Sequence, residues 1–371
     1  MNDVAVVGYA HSVEARTAGT TNGVEMLVPL FGQLYDQLRI GKGDIGFWCS
    51  GSSDYLAGRA FSFISAIDAI GAYPPIVESH VEADAAWALY EAWVKLVTGE
   101  VDTALVYGFG KSTAGDLRRT LALQLDPYAV APLWPDATAL AALQARLGIE
   151  AGLWTEKDMA EVAARAIAAN PTHGTADPAR AAAQDAADLL AAPYLAEPLR
   201  EHDCAVVADG ATAVVLAAGQ RAYELCERPA WIAGIAHRVD SSSLGARDLT
   251  TAPSARAAAA AANAQANAHA DARGRAASGA TADGDGPEIV ELHSAYSHQE
   301  LILRRELVLD NGARVNPSGG VLRGHAMFAA GLARIGEAAR HILAGEARRT
   351  LGHATNGPLL QQNLVCVLEA R

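Results

Sequence analysis

The sequence predicts an α/β protein in which a parallel, helix-covered sheet is built twice. Three observations carry this. Short apolar runs alternate with amphipathic segments through residue 107, the theme returns from residue 213, and glycine-bounded loops bearing histidine follow strand candidates in the last third. Strands covered on both faces read as short continuous apolar runs, which is the pattern here.

In order, Val4-Ala5-Val6-Val7-Gly8 forms the opening strand, and Gly8-Tyr9 ends it. Leu27, Leu30, Leu34 and Leu38 recur at helical spacing, predicting a helix over residues 24–38. Residues 45–49 are a second strand, turned by Ser50-Gly51-Ser52-Ser53. A helix over 54–70 is broken by Pro74-Pro75, and Ile76-Val77 starts a short strand. A helix over 85–97 stops at Gly99, and residues 103–107 are a further strand. Residues 114–208 read as irregular. The second half offers strands at 213–216 and 230–235, then the alanine-rich stretch 253–272, helical because alanine has the best intrinsic propensity. A mobile loop over 274–286, a strand at 289–292, a loop and helix through Leu303, a helix over 326–343 and a hairpin of 348–351 with 364–368 complete the chain. Two halves of like order follow, residues 1–220 and 221–371, and imply an internal duplication.

Composition narrows the function. The 371 residues are 51% hydrophobic, and the net charge of −13 argues against nucleic acid or an anionic membrane as partner. Cys49, Cys204, Cys226 and Cys366 lack paired spacing, so neither a disulfide framework nor a metal site is expected. No basic leader precedes Val4, and no window approaches the roughly 20 apolar residues of a membrane span. A soluble, cytoplasmic protein is the expectation.

The chemistry-bearing residues lie in three loops. They are Glu291-Leu292-His293-Ser294-Ala295-Tyr296, then Asn316-Pro317-Ser318-Gly319-Gly320 leading to Gly324-His325, then Gly352-His353-Ala354-Thr355-Asn356-Gly357. Ligands bind beyond strand ends in open α/β sheets. Neutral imidazole N–H groups and Gly-Gly amides donate well to a thioester oxygen as it becomes an enolate. A second imidazole or a tyrosine hydroxyl can then move a proton. A lone histidine is more often a surface or structural group, the reading for His11, His173 and His237; three in such loops point to a site. Upstream, Ser79-His80-Val81-Glu82-Ala83-Asp84-Ala85 opens a helix and contains no cysteine.

On these motifs the chain resembles, nearly end to end, the thiolase superfamily, specifically the sterol carrier protein X and lipid-transfer-protein thiolase-like branch. The opening strand, the segment from Gly99 to Lys111, and Asp209-Gly210-Ala211 with Ala213-Val214-Val215 also resemble family elements. Ala326 stands where the family's Gly-His-Pro has proline, and His353 where thiolases carry a C-terminal acid/base cysteine. The resemblance implies two similar βαβαββ halves stacked as α/β/α/β/α layers. It further implies a homodimer or a heterodimer with a thiolase-like homologue, and a small OB-fold, zinc-ribbon acyl-CoA-binding companion. Coenzyme A enters as part of the substrate, with no other cofactor.

Thiolases place a nucleophilic cysteine at a helix N-terminus, where the dipole favours thiolate. Here that position falls on Ala83, between Glu82 and Asp84, none of which carries an acyl group as a thioester. Asp84 reads as an N-cap, Glu82 as a base or a buried spacer, and Cys49 as a packed thiol. Retro-aldol cleavage of a 3-hydroxyacyl-CoA keeps enolate-stabilising histidines and needs no nucleophile, and the resemblance implies that the acyl group is a sterol side chain. His293 and His325 then hold the thioester oxygen, Tyr296 or His353 carries a proton, and Asn316, Ser318, Gly319 and Gly320 support the oxyanion or the loop. Arg118 and Arg119 are either coenzyme A phosphate ligands or a solvated basic turn. Two alternatives stand beside this reading: a non-catalytic acyl-CoA-binding subunit of a heteromeric complex, and a thiolase acting through another cysteine.

Overall fold

A computed structural model of the chain describes residues 2–15, 19, 21–57, 61–169, 185–272, 286–309 and 312–371. The loop expected over 274–286 lies outside these residues apart from Gly286. In chain order the elements are β1 (Val4–Ala15), α1 (Gly23–Leu38), β2 (Phe47–Gly51), α2 (Asp54–Ala57), α3 (Ile64–Ile70), β3 (Glu78–Val81), α4 (Ala85–Thr98) and β4 (Thr103–Lys111). Then come α5 (Leu117–Leu123), α6 (Ala137–Glu150), α7 (Glu156–Ala168), α8 (Ala186–Leu190), β5 (Tyr194–Ala196), β6 (Leu199–Arg200), β7 (Ala208–Ala218), α9 (Gly219–Leu225) and β8 (Ala230–Val239). The last are α10 (Pro253–Ala272), β9 (Ile289–Leu292), α11 (Ser297–Glu306), β10 (Arg314–Val315), α12 (Ala330–Leu343), β11 (Arg349–Asn356) and β12 (Gln362–Glu369).

Among the described residues, ten strands form one mixed sheet in the order β10-β9-β11-β12-β8-β1-β7-β4-β2-β3. It divides at the short β1–β8 pairing, where Ala5 faces Trp231 and Val6 faces Ala230. Each side carries five strands with the same sequence of pairings: parallel β3-β2-β4 and antiparallel β4-β7-β1 on one, parallel β10-β9-β11 and antiparallel β11-β12-β8 on the other. The sheet is therefore mixed where the sequence suggested parallel. The turn over 357–361 is too short for a crossover, so β11 and β12 can pair only antiparallel.

Helices α4 and α12 pack together between the inner faces of the two five-stranded halves. Ala88, Leu89 and Leu96 of α4 and Leu332, Ile335 and Ile342 of α12 share one core with Val4, Val6, Val106 and Leu216 on one side and Ile235, Leu364 and Cys366 on the other. Alternate residues of the same strands, Ala5, Val7, Leu105 and Val215, face α1 and α3. Val290, Leu351, Val365 and Val367 face α10 and α11. Burial on both faces explains the unbroken apolar runs. Alanines dominate α10 because it packs close to the sheet: a Cβ on Gly234 of β8 would stand 1.9 Å from the Ala262 carbonyl oxygen.

Four further expectations change. The strand expected at Ile76-Val77 begins at Glu78; its sequence, Glu-Ser-His-Val, is polar as suits a sheet edge. The helix expected over 54–70 is two short ones, because the Asp54 carboxylate accepts from the Phe61 and Ser62 amides (3.0 and 2.9 Å) and Phe61 takes a left-handed φ of 57°. The stretch 114–208 is largely ordered into α5 to α8, with Asp136 and Thr155 capping α6 and α7. The helix expected from Ala326 starts at Ala330.

Candidate active site

A cavity of about 310 Å³ opens where β9 and β11 end, beneath α5 and the start of α6. Leu117, Leu121, Leu125, Leu140, Met327, Phe328, Leu359 and Leu360 give it apolar walls, and Asp84, His293, His325, Tyr296, Cys204, Thr355 and Asn356 supply polar groups. Among the described residues no helix is long and apolar enough to cross a membrane.

His293 and His325 converge. Their Nε2 atoms stand 3.3 Å apart, with ring centroids 5.2 Å apart and planes 81° to one another. The Thr355 amide donates to His293 Nδ1 at 3.5 Å, which puts the His293 proton on Nε2, donating to His325 Nε2. Burial keeps both rings neutral: it holds His293 well below the ordinary imidazole value, with the Arg334 charge adding to it, and His325 down to about 4. The His293 backbone is fixed by its N–H to the His353 carbonyl oxygen (3.2 Å), and the His325 N–H donates to the Val206 carbonyl oxygen (2.7 Å).

His353 is a correction. Strand β11 runs on to Asn356, so His353 lies inside the strand rather than in a loop beyond it. Strand alternation turns its ring away from α12, toward α10: Nε2–H donates to Asn363 Oδ1 (2.9 Å), and Asn363 Nδ2 donates to Ser254 Oγ of α10 (2.7 Å). The ring is absent from the cavity wall, fully buried, and neutral down to about 4 through burial. Tyr296 does line the cavity, with burial pushing its hydroxyl up to about 12.

The Asn316–Gly320 loop supports the site without lining it. Asn316 Oδ1 accepts from the Leu292 amide (2.6 Å) and Nδ2 donates to Glu300 Oε2 (2.9 Å), stapling β9 just before His293. Ser318 Oγ donates to Glu291 Oε2 (2.7 Å). The Gly319 amide donates to the Asn316 carbonyl oxygen (2.9 Å) and the Gly320 amide to Ser318 Oγ (3.2 Å), so both amides are used within the loop. They are not oxyanion donors. Gly319 and Gly320 take φ of 89° and 62°, which glycine adopts without the clash a Cβ brings. Arg334 Nη1 of α12, behind this loop, donates to Glu291 Oε2 and Ser318 Oγ (2.6 Å each). This buried pair was not legible in the sequence, since Glu291 sits in an apolar strand and Arg334 far along the chain.

At the start of α4, Asp84 caps the helix, accepting from the Ala86 amide (2.9 Å), and lines the cavity. Ala83 is buried in the central core. Glu82 faces outward, accepting from the Asp54 amide (2.8 Å), so it is neither base nor buried spacer. Of the arginines, Arg118 reaches the cavity rim and pairs with Asp136, whereas Arg119 stays off the wall. Among cysteines, Cys204 lines the cavity beside Tyr296, and its spacing carried no signal; Cys49 is core-buried and its thiol pushed up to about 12 by burial.

The chain matches no family model and no curated protein.

Proposed function

We propose that the protein has a thiolase-like fold and is an aldol-lyase that cleaves a 3-hydroxyacyl-CoA bearing a bulky apolar side chain of sterol type. The observation that carries this is the neutral His293–His325 pair at an apolar cavity whose helix N-terminus offers Ala83 and Asp84 in place of a nucleophile. In this reading the substrate inserts between the rings. His325 Nε2 takes the proton of the 3-hydroxyl, the Cα–Cβ bond breaks, and its electron pair enters a thioester enolate whose oxygen accepts from His293 Nε2–H. Tyr296 or the His325 imidazolium then protonates Cα, releasing a shortened acyl-CoA and a ketone or aldehyde. A neutral imidazole is the suitable oxyanion donor, because it stabilises charge without first holding a counter-anion.

The duplicated strand order, with α4 and α12 between the halves, supports the α/β/α/β/α arrangement. The test is cleavage of a panel of 3-hydroxyacyl-CoAs followed by mass spectrometry, with and without a thiolase-like or OB-fold partner. His293→Asn and His325→Asn are each expected to lower kcat by about 10²–10³-fold. Full activity in both variants eliminates the proposal.

A further inference from the structure

The Asp84 carboxylate serves two helices. Oδ1 accepts from Ala86 N–H of α4 (2.9 Å) and from Leu332 N–H of α12 (3.0 Å), and Oδ2 accepts from Gly331 N–H of α12 (2.9 Å). The side chain is buried, at 2% exposure. Two helix N-termini, each with partial positive charge, thus meet on one anion. The next amide, Ala85 N–H, donates to the Phe328 carbonyl oxygen (2.9 Å). The chain just before α12 has little freedom, since a Cβ on Gly110 would stand 2.2 Å from the Met327 carbonyl oxygen and one on Gly108 2.4 Å from that of Phe328. Its other end is His325, bound through its backbone N–H to Val206 O (2.7 Å) and through its carbonyl oxygen to Ala208 N–H (3.2 Å). The segment 325–332 is therefore anchored beside β7 at one end and on Asp84 at the other.

We propose that Asp84 is a positioning residue: by holding the N-terminus of α12 against that of α4, it fixes the segment that sets the His325 ring against His293. Its effect on turnover rests on the retro-aldol reading, while the geometric claim does not. A short polar group is required at this position, with two oxygens spanning three amides. That accounts for a carboxylate at the start of α4, next to Ala83.

The experiment follows the His325 ring by NMR through a pH titration, in the full chain, for wild type, Asp84→Ala, Asp84→Asn and Gly331→Ala. Wild-type His325 stays neutral down to about pH 4. Asp84→Ala frees the segment and is expected to move the His325 titration up by about one unit or more toward the ordinary value. Asp84→Asn keeps an oxygen for two of the amides and is expected to leave His325 near its wild-type value. Gly331→Ala retains the charge but brings a Cβ to 2.5 Å from Asp84 Oδ1, and is expected to give an intermediate shift. An unchanged His325 in folded Asp84→Ala overturns the proposal. Should that variant not fold, an unchanged His325 in Gly331→Ala overturns it equally. A shift in Asp84→Asn as large as in Asp84→Ala replaces positioning with a charge effect and also overturns it. Loss of the retro-aldol reading through full activity of both His293→Asn and His325→Asn leaves these titrations untouched.

Discussion

The His293 ring shows how burial sets chemistry at a single residue. Thr355 and His325 together select one tautomer, and burial keeps the pair uncharged. Turnover is accordingly expected to hold as pH falls from 7 to about 5 and to drop as His325 protonates near 4, measured as kcat/KM against pH. Stability follows the opposite side of the same linkage. His298, His325 and His353 are held down to about 3, 4 and 4 by burial, against 6.5 for an ordinary imidazole. Below 6.5 the unfolded chain binds protons that the folded chain refuses, so stability is present above 6.5 and is lost as pH falls toward 4. Each ring contributes on the order of 3 kcal/mol to that loss. Urea midpoints between pH 7 and 4.5 check this, and His298→Gln should make the loss shallower. That His293 and His325 share one cavity was legible because glycine-bounded loops after strands expose their residues at one edge. The separation of His353 was not, because it turns on where β11 ends.

Among the elements, α10 carries the clearest packing argument. Alanine propensity predicts a helix over these twenty residues, and burial of Ala255, Ala258, Ala262 and Ala266 against β8 and β12 shows what holds it there. Small side chains are needed where Gly234 lets the two backbones approach. Ala262→Leu is expected to cost about 1–3 kcal/mol by overpacking, while Ala260→Glu, on the exposed face, should change stability by about 0.5 kcal/mol or less. Chemical denaturation of the two variants tests the difference. Strand β3 illustrates the converse: an edge strand needs few apolar residues, so its polar sequence hid it, and the apolar Ile76-Val77 beside it drew the assignment away.

For the whole molecule, the two five-stranded halves touch as sheets over only two paired positions, Ala5 with Trp231 and Val6 with Ala230. The larger bond is the shared α4–α12 layer, whose core residues face both halves. The halves should therefore unfold together. In urea, the fluorotryptophan signals of Trp48, in the first half, and Trp154, packed with the second, are expected to disappear at one midpoint. Ile335→Ala, in the central layer, should lower both by the same amount, about 2–5 kcal/mol. Separate midpoints would show that the layer does not couple the halves.

The sequence by itself determined the α/β class, the long strands and the helices α1, α4, α10 and α12 outside residues 114–208, and the absence of a cysteine at the start of α4, because local periodicity and residue identity are written directly in the chain. Tertiary structure alone decided which histidines meet, that the Gly319 and Gly320 amides are already occupied, and that Asp84 caps α12 as well as its own helix. Those outcomes depend on strand register and on residues some 250 positions apart, such as Asp84 and Leu332, being brought within hydrogen-bonding distance. No periodicity encodes a contact of that range.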